Sequence, residues 1–118
     1  MQFSEILGQE HIKSHLTKSA NLGRIPHAQL FVGPEGSGTL PMAIAYAQYL
    51  ICSNQNGENS GSNEACNLKF QKTSHPDLHF FYPTVSTEEV KTKPKSIDFI
   101  TEWRQFLEQN KYGSLFDW

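Results

Sequence analysis

The sequence predicts an α/β fold in which helices pack on a parallel β-sheet, with only part of that sheet present in the chain. Two short apolar runs, residues 27–32 and 77–82, have the length and composition of buried parallel strands. Longer segments repeat apolar residues at helical spacing, and a glycine-rich turn separates the first run from the helix after it. With 118 residues, of which 37% are hydrophobic, the chain suits one small domain with a single core.

The first two helices are predicted from their apolar spacing. Residues 9–22 repeat apolar side chains at Ile12 and Leu16, and Gly23 follows in the position of a C-terminal cap. The second helix is predicted over residues 40–52, which carry one apolar stripe and have Pro41 in the first turn, where its missing N–H is tolerated. Thr39, directly before this helix, is predicted to be its N-cap.

The second half of the chain alternates polar loops with shorter elements. Residues 53–65 are rich in Asn, Gly and Ser and predict a loop, and residues 66–72 predict a short helical piece. A second polar loop is predicted over residues 84–96. Ser96 is then predicted to cap a last amphipathic helix over residues 97–110.

The glycine-rich turn has the spacing of a Walker A phosphate-binding loop, Gly-x-x-x-x-Gly-Lys-Ser/Thr. The candidate nucleotide-binding residues are Gly33, Pro34, Gly36, Ser37, Gly38, Thr39 and Leu40. Glycines in such a loop let backbone N–H groups point at phosphate. A glycine-rich turn also joins strands to helices without any ligand, so the interpretation depends on the predicted strand before it and the predicted helix after it.

This loop lacks the two side chains that handle charge. Thr39 stands where the motif has lysine, and Leu40 stands where it has the hydroxyl that holds Mg²⁺. A hydrogen bond to a charged group contributes roughly 1.5–3 kcal/mol, so losing both contacts weakens nucleotide binding by about 10²- to 10⁴-fold. We therefore expect no bound ATP or Mg²⁺, no ATPase activity of the chain's own and no catalytic residue.

Composition and motif content argue against several other classes of function, although a negative net charge does not exclude a local basic patch. The net charge of −2 gives no global basic field for nucleic acid, and the sequence contains neither a Gly-x-Ser-x-Gly elbow nor a His-Glu-x-x-His motif. No signal peptide and no run of about 18 apolar residues is present, so we expect a cytoplasmic protein without a membrane-spanning helix. In that compartment Cys52 and Cys66 are expected to be reduced thiols.

Several short segments carry a family resemblance. They are Gly8-Gln9-Glu10-His11, Arg24-Ile25-Pro26-His27-Ala28, Leu30-Phe31-Val32-Gly33-Pro34-Glu35-Gly36-Ser37-Gly38, Tyr49-Leu50-Ile51-Cys52, Cys66-Asn67-Leu68 and Ser74-His75-Pro76-Asp77. Together they resemble the AAA+ subunits of the bacterial DNA polymerase III clamp loader, gamma/tau and delta prime. The resemblance covers most of residues 1–83 and is strongest to delta prime, the subunit whose phosphate loop is commonly degenerate.

The resemblance implies a fold and a task. Residues 1–118 would be the N-terminal part of a RecA-like AAA+ domain, a partial P-loop NTPase fold. The protein would be a non-catalytic subunit of the DNA polymerase III holoenzyme, a nucleotidyltransferase complex, and would help to load the sliding clamp onto primed DNA. Its partners would be gamma/tau and delta, and indirectly the sliding clamp and primer–template DNA. The alternative is a gamma/tau-like subunit that binds or hydrolyses ATP with an altered loop.

The family also carries a zinc module of four cysteines after the helix that follows the phosphate loop. By resemblance Cys52 matches the first ligand and Cys66 the last, while residues 53–65 contain no other Cys or His. Two thiolates do not complete a tetrahedral zinc site, so residues 53–74 are expected to replace the module without metal. The alternative is a Cys₂His₂ set completed by His75 and His79, although the two cysteines are not the closely spaced pair of a zinc finger. A partial sheet would leave exposed strand edges, so we also expect the chain to associate with itself.

Overall fold

The computed structural model of the chain is helical and describes residues 1–53, 64–87, 89–90 and 92–118. Its elements are two short 3₁₀ helices, Phe3–Glu5 and Ser96–Phe99, and four α-helices: α1 (Glu10–Asn21), α2 (Thr39–Cys52), α3 (Glu64–Gln71) and α4 (Ile100–Gln109). The four predicted helices are therefore all present, but the last begins at Ile100, and Ser96 is the first residue of the second 3₁₀ helix, not the cap of α4. The predicted loop over residues 53–65 falls largely outside the described residues. In the part of the chain that is described, no helix is both long and apolar enough to cross a lipid bilayer.

The predicted α/β fold with a parallel sheet is wrong. Residues 27–32 and 77–82 are not helical, yet no β-strand occurs anywhere in the described ranges. Leu30 and Val32 are 88% and 80% exposed, and Phe81 is 91% exposed, whereas strands of a parallel sheet are covered on both faces. An apolar run of this length predicts burial, but it cannot specify which backbone will pair with it.

The longest helix, α2, packs against both of its neighbours in sequence. Near its start, Met42, Ala45 and Tyr46 form a buried cluster with Ile6 from the N-terminal segment and Leu16 from α1. At its other end α2 packs on α3 through a second cluster, which consists of Cys52, Cys66 and Phe70. The two apolar runs attach to different clusters, because Phe31 packs against the first and Leu78 against the second.

A glycine turn ends α1. The N–H of Gly23 donates to the carbonyl of Ala20 at 3.1 Å, and the N–H of Arg24 donates to the carbonyl of Ser19 at 2.9 Å. Gly23 has a φ of +70°, the left-handed conformation that this pair of bonds requires. The predicted C-terminal cap of the first helix is therefore confirmed.

Aromatic side chains attach α4 to the second apolar run. Trp103 is buried, and its ring stacks on that of Tyr82 with centroids 4.3 Å apart and lies 5.5 Å from that of Phe80. Trp118 packs edge-on against Trp103 at 5.2 Å, and its indole N–H donates to the carbonyl of Pro83 at 2.8 Å. Side-chain contacts thus hold this run in place, whereas the sequence predicted backbone pairing within a sheet.

Candidate functional site

The glycine-rich loop predicted to be a phosphate site forms a tight turn at the start of α2. Gly36 and Gly38 have φ values of +76° and +93°, which a residue with a side chain rarely adopts. Ser37 donates to the carbonyl of Pro34 through both its N–H, at 3.1 Å, and its hydroxyl, at 2.6 Å. The sequence therefore places the turn and its helix correctly.

Side chains of the loop itself crowd its first glycine. A Cβ atom built on Gly33 would lie 2.5 Å from the Ser37 hydroxyl oxygen and 2.9 Å from Cγ2 of Thr39. Both distances are shorter than real Cβ atoms show, so a side chain at position 33 would require Ser37 or Thr39 to shift. The Ser37 hydroxyl, which already donates within the turn, and the Thr39 methyl group thus occupy the space beside Gly33.

Thr39 and Leu40, at the lysine and Ser/Thr positions of the Walker A motif, provide no positive charge. Thr39 is the first residue of α2 and is half-buried, as is Leu40. The N-cap of α2 is Gly38, not Thr39, and no side chain caps this helix end; the predicted role of Thr39 as N-cap is wrong. Pro41 has no N–H, which reduces the number of free backbone donors in the first turn.

A residue far along the chain covers the second glycine of the loop. Gly38 is buried, and a Cβ atom built on it would lie 2.9 Å from Cε1 of Tyr112. The Tyr112 hydroxyl accepts a hydrogen bond of 3.0 Å from the N–H of Leu7. Tyr112 therefore joins the start of α2 to the N-terminal segment. No local sequence pattern connects position 112 to position 38, so the sequence alone does not predict this contact.

An ion pair flanks this contact. The Lys111 ammonium lies 3.5 Å from Oε1 of Glu5, and Oε2 of Glu5 accepts a hydrogen bond of 2.8 Å from the N–H of Gln2. The Gln2 N–H, and more weakly the positive charges of the N-terminus and of Lys111, hold the pKa of Glu5 below its ordinary value despite partial burial. Lys111, which directly precedes Tyr112 in the sequence, is thus paired with the Glu5 carboxylate.

The two candidate metal ligands are bonded to each other. Cys52 at the end of α2 and Cys66 in α3 form a disulfide with Cα atoms 5.6 Å apart, so the expectation of reduced thiols is wrong. His75, four residues before His79, accepts a hydrogen bond of 3.1 Å at Nδ1 from the N–H of Asp77. Among the described residues no group of three or more His, Cys, Asp or Glu side chains is arranged to hold a metal ion.

A separate open groove of about 810 Å³ lies between the N-terminal segment and α1. Its apolar wall includes Phe3, Ile6 and Leu22, and Lys13 lies along it. The Lys13 ammonium is held by the carbonyl of Ile6 at 2.5 Å and by Glu10 at 3.3 Å. None of the residues predicted from the sequence to bind nucleotide or metal lines this groove.

Comparison with known proteins places the chain among replication proteins. Residues 8–115 match the family described as DNA polymerase III, delta subunit. The chain is 43% identical over 51 residues to DNA polymerase III subunit gamma/tau of Mycobacterium bovis, a match that covers 43% of this chain and 9% of the relative. It is 42% identical over 50 residues to DNA polymerase III subunit tau of Escherichia coli, covering 42% of this chain and 8% of the relative.

A third relative, subunit gamma/tau of Mycoplasma pneumoniae, is 32% identical over 65 residues, or 55% of this chain and 10% of its own length. The chain thus spans about a tenth of the length of the curated relatives that it matches. The comparison with solved structures found no match. Because the family match extends over nearly the whole chain, the protein belongs to the DNA polymerase III delta-subunit family, within the clamp-loader subunits that the sequence resembles.

Proposed function

We propose that this protein is a delta prime-type subunit of a DNA polymerase III clamp loader and has no ATPase activity of its own. It would act in the cytoplasm with gamma/tau and delta subunits and help to load the sliding clamp onto primed DNA. The match of residues 8–115 to the delta-subunit family and the gamma/tau relatives support this assignment.

The observation that carries the proposal is the altered loop at the start of α2. Thr39 and Leu40 stand where a nucleotide-binding loop needs a lysine and a metal-binding hydroxyl. Without the ammonium group and the metal-binding hydroxyl, this loop is poorly suited to hold a triphosphate.

A second candidate function is favoured by the names of the relatives. The curated relatives cited above are gamma/tau or tau subunits, and the identity reaches 43% over 51 residues. The protein would then be a gamma/tau-like subunit that binds ATP through its backbone N–H groups with a cation supplied from elsewhere. The affinity of the chain for ATP distinguishes these two candidate functions, because only the gamma/tau-like subunit would bind it.

Calorimetric titration of the chain with ATP and Mg²⁺ tests the proposal. We expect no measurable heat from the wild type, and binding in Thr39→Lys/Leu40→Thr, because that variant restores the ammonium and the metal ligand. The matched control is Thr39→Gln/Leu40→Val, which changes the same two positions without adding charge or a hydroxyl and should also bind no nucleotide.

Two results would contradict the proposal. Micromolar binding of ATP by the wild type would favour the gamma/tau-like alternative. Failure of the purified chain to co-elute with gamma/tau and delta subunits in gel filtration would count against a clamp-loader subunit of either type.

A further inference from the structure

Two histidines lie one helical turn apart on the exposed side of α1. His11 and His15 are separated by four residues within the helix Glu10–Asn21, so their Cβ atoms lie about 5–6 Å apart. At 100° per residue they fall on the opposite side of the helix from Leu16 and Ala20, which pack in the core. Both imidazoles are exposed.

Both rings have their nitrogens available. Within the part of the chain that the structure describes, neither His11 nor His15 makes a hydrogen bond, an ion pair or a ring contact. Imidazole is a preferred ligand for Zn²⁺, Ni²⁺ and Cu²⁺, and two histidines at this spacing on one helix face are the pair that binds zinc in His-Glu-x-x-His enzymes. Here Ile12 replaces the glutamate that acts as general base, so the pair can bind a metal ion but lacks the group for hydrolysis.

We propose that His11 and His15 form a binding site for one divalent transition-metal ion, Zn²⁺ being the probe of choice, with water in the remaining coordination positions. The open positions distinguish it from a closed structural zinc site, which takes four protein ligands. The proposal does not depend on the clamp-loader assignment, because it uses only the exposed side of α1.

The chain supplies its own comparison pair. His75 and His79 have the same spacing but lie outside any helix, and Nδ1 of His75 already accepts a hydrogen bond from Asp77. The spacing is therefore equal in the two pairs, but only His11 and His15 have the helical geometry, and one ring nitrogen of the other pair is already occupied.

Calorimetric titration of the tag-free chain with Zn²⁺, with the disulfide intact, tests the site. We expect His11→Gln or His15→Gln to weaken binding about tenfold or more, since even groups that only support a metal ligand are worth about 10- to 100-fold in affinity. His75→Gln/His79→Gln should bind like the wild type. Unchanged circular dichroism would show that the exposed substitutions leave the helices intact.

Moving one histidine along the helix tests whether Zn²⁺ binding depends on the spacing of the pair or only on the number of histidines. His11→Gln/Ser19→His keeps five histidines and recreates a pair four residues apart, at 15 and 19, so binding should return. His15→Gln/Ser19→His keeps the same number but places the rings eight residues apart, two turns along the helix, so binding should stay weak. Equal affinity in these two variants, or no Zn²⁺ binding by the wild type, would overturn the proposal.

Discussion

At the residue scale, Gly38 connects the loop to the rest of the molecule. Its φ of +93° is the conformation that ends the turn and starts α2, and the Tyr112 ring lies against its Cα. Gly36 has a similar φ of +76°, but a Cβ built on it would meet no atom within 4 Å. Substitutions at these two glycines therefore allow the free-energy cost of backbone strain to be measured apart from the cost of crowding.

We expect Gly38→Ala to destabilise the fold more than Gly36→Ala. A left-handed backbone costs an L-residue roughly 1–2 kcal/mol at either position, and the contact with Tyr112 adds about 1–3 kcal/mol at position 38 alone. Urea unfolding measures both. In a Tyr112→Ala background the difference between the two variants should disappear; a difference that persists there would mean that Tyr112 is not its cause.

At this scale, the sequence predicts a residue's role best where that role depends on neighbouring residues in the chain. The positions of Gly33 and Gly38 and the missing lysine follow from the motif spacing alone. The contact between Tyr112 and Gly38 does not, because it is made by tertiary packing. The error at Thr39 has a different cause: its side chain suits an N-cap, but the helix begins one residue earlier than predicted, so Thr39 stands inside it.

At the scale of elements, the helices were predicted and the sheet was not. Helical spacing over α1 and α2 predicts both helices but only part of their buried sides: Leu16 is buried, whereas Ile12, on the same predicted face, is 41% exposed. The runs 27–32 and 77–82 are mostly apolar, and such a run does not specify whether it pairs with another strand. Each instead inserts one or a few side chains, such as Phe31 and Leu78, into a helical cluster.

The disulfide is the covalent link between α2 and α3. Closing a loop with a sequence separation of 14 residues restricts the unfolded chain, and a cross-link of this size contributes about 2–4 kcal/mol. We expect Cys52→Ser/Cys66→Ser to lower the free energy of unfolding by that amount in urea. A reducing agent should bring the wild type to the same stability and leave the variant unchanged; a wild type insensitive to the reductant would show that the bond contributes nothing.

At the scale of the whole molecule, apolar side chains remain on the surface. Leu30, Val32 and Phe81 are each at least 80% exposed, and Phe116 is 91% exposed. The described residues contain no strand edge that could pair with another chain, so exposed apolar side chains are the feature that favours self-association. Such groups favour association, because contact removes their surface from water.

We expect the average mass of the chain to rise with protein concentration in light scattering. Leu30→Ser/Phe81→Ser should reduce this rise, since the two substitutions remove large exposed side chains. Gln105→Ser, at an exposed polar position on α4, is the matched control and should behave like the wild type. A constant monomer mass up to the highest concentration tested would contradict the expectation.

The aromatic cluster on α4 also determines what a fluorescence experiment on this protein reports. The chain has two tryptophans, Trp103 and Trp118, and their rings pack against each other at 5.2 Å. The buried clusters around Tyr46 and around the disulfide contain neither of them. Tryptophan emission therefore follows the release of α4 from residues 80–83, whereas far-ultraviolet circular dichroism follows all four helices. Unfolding curves that differ between these two signals would reveal α4 detaching before α1 and α2 separate.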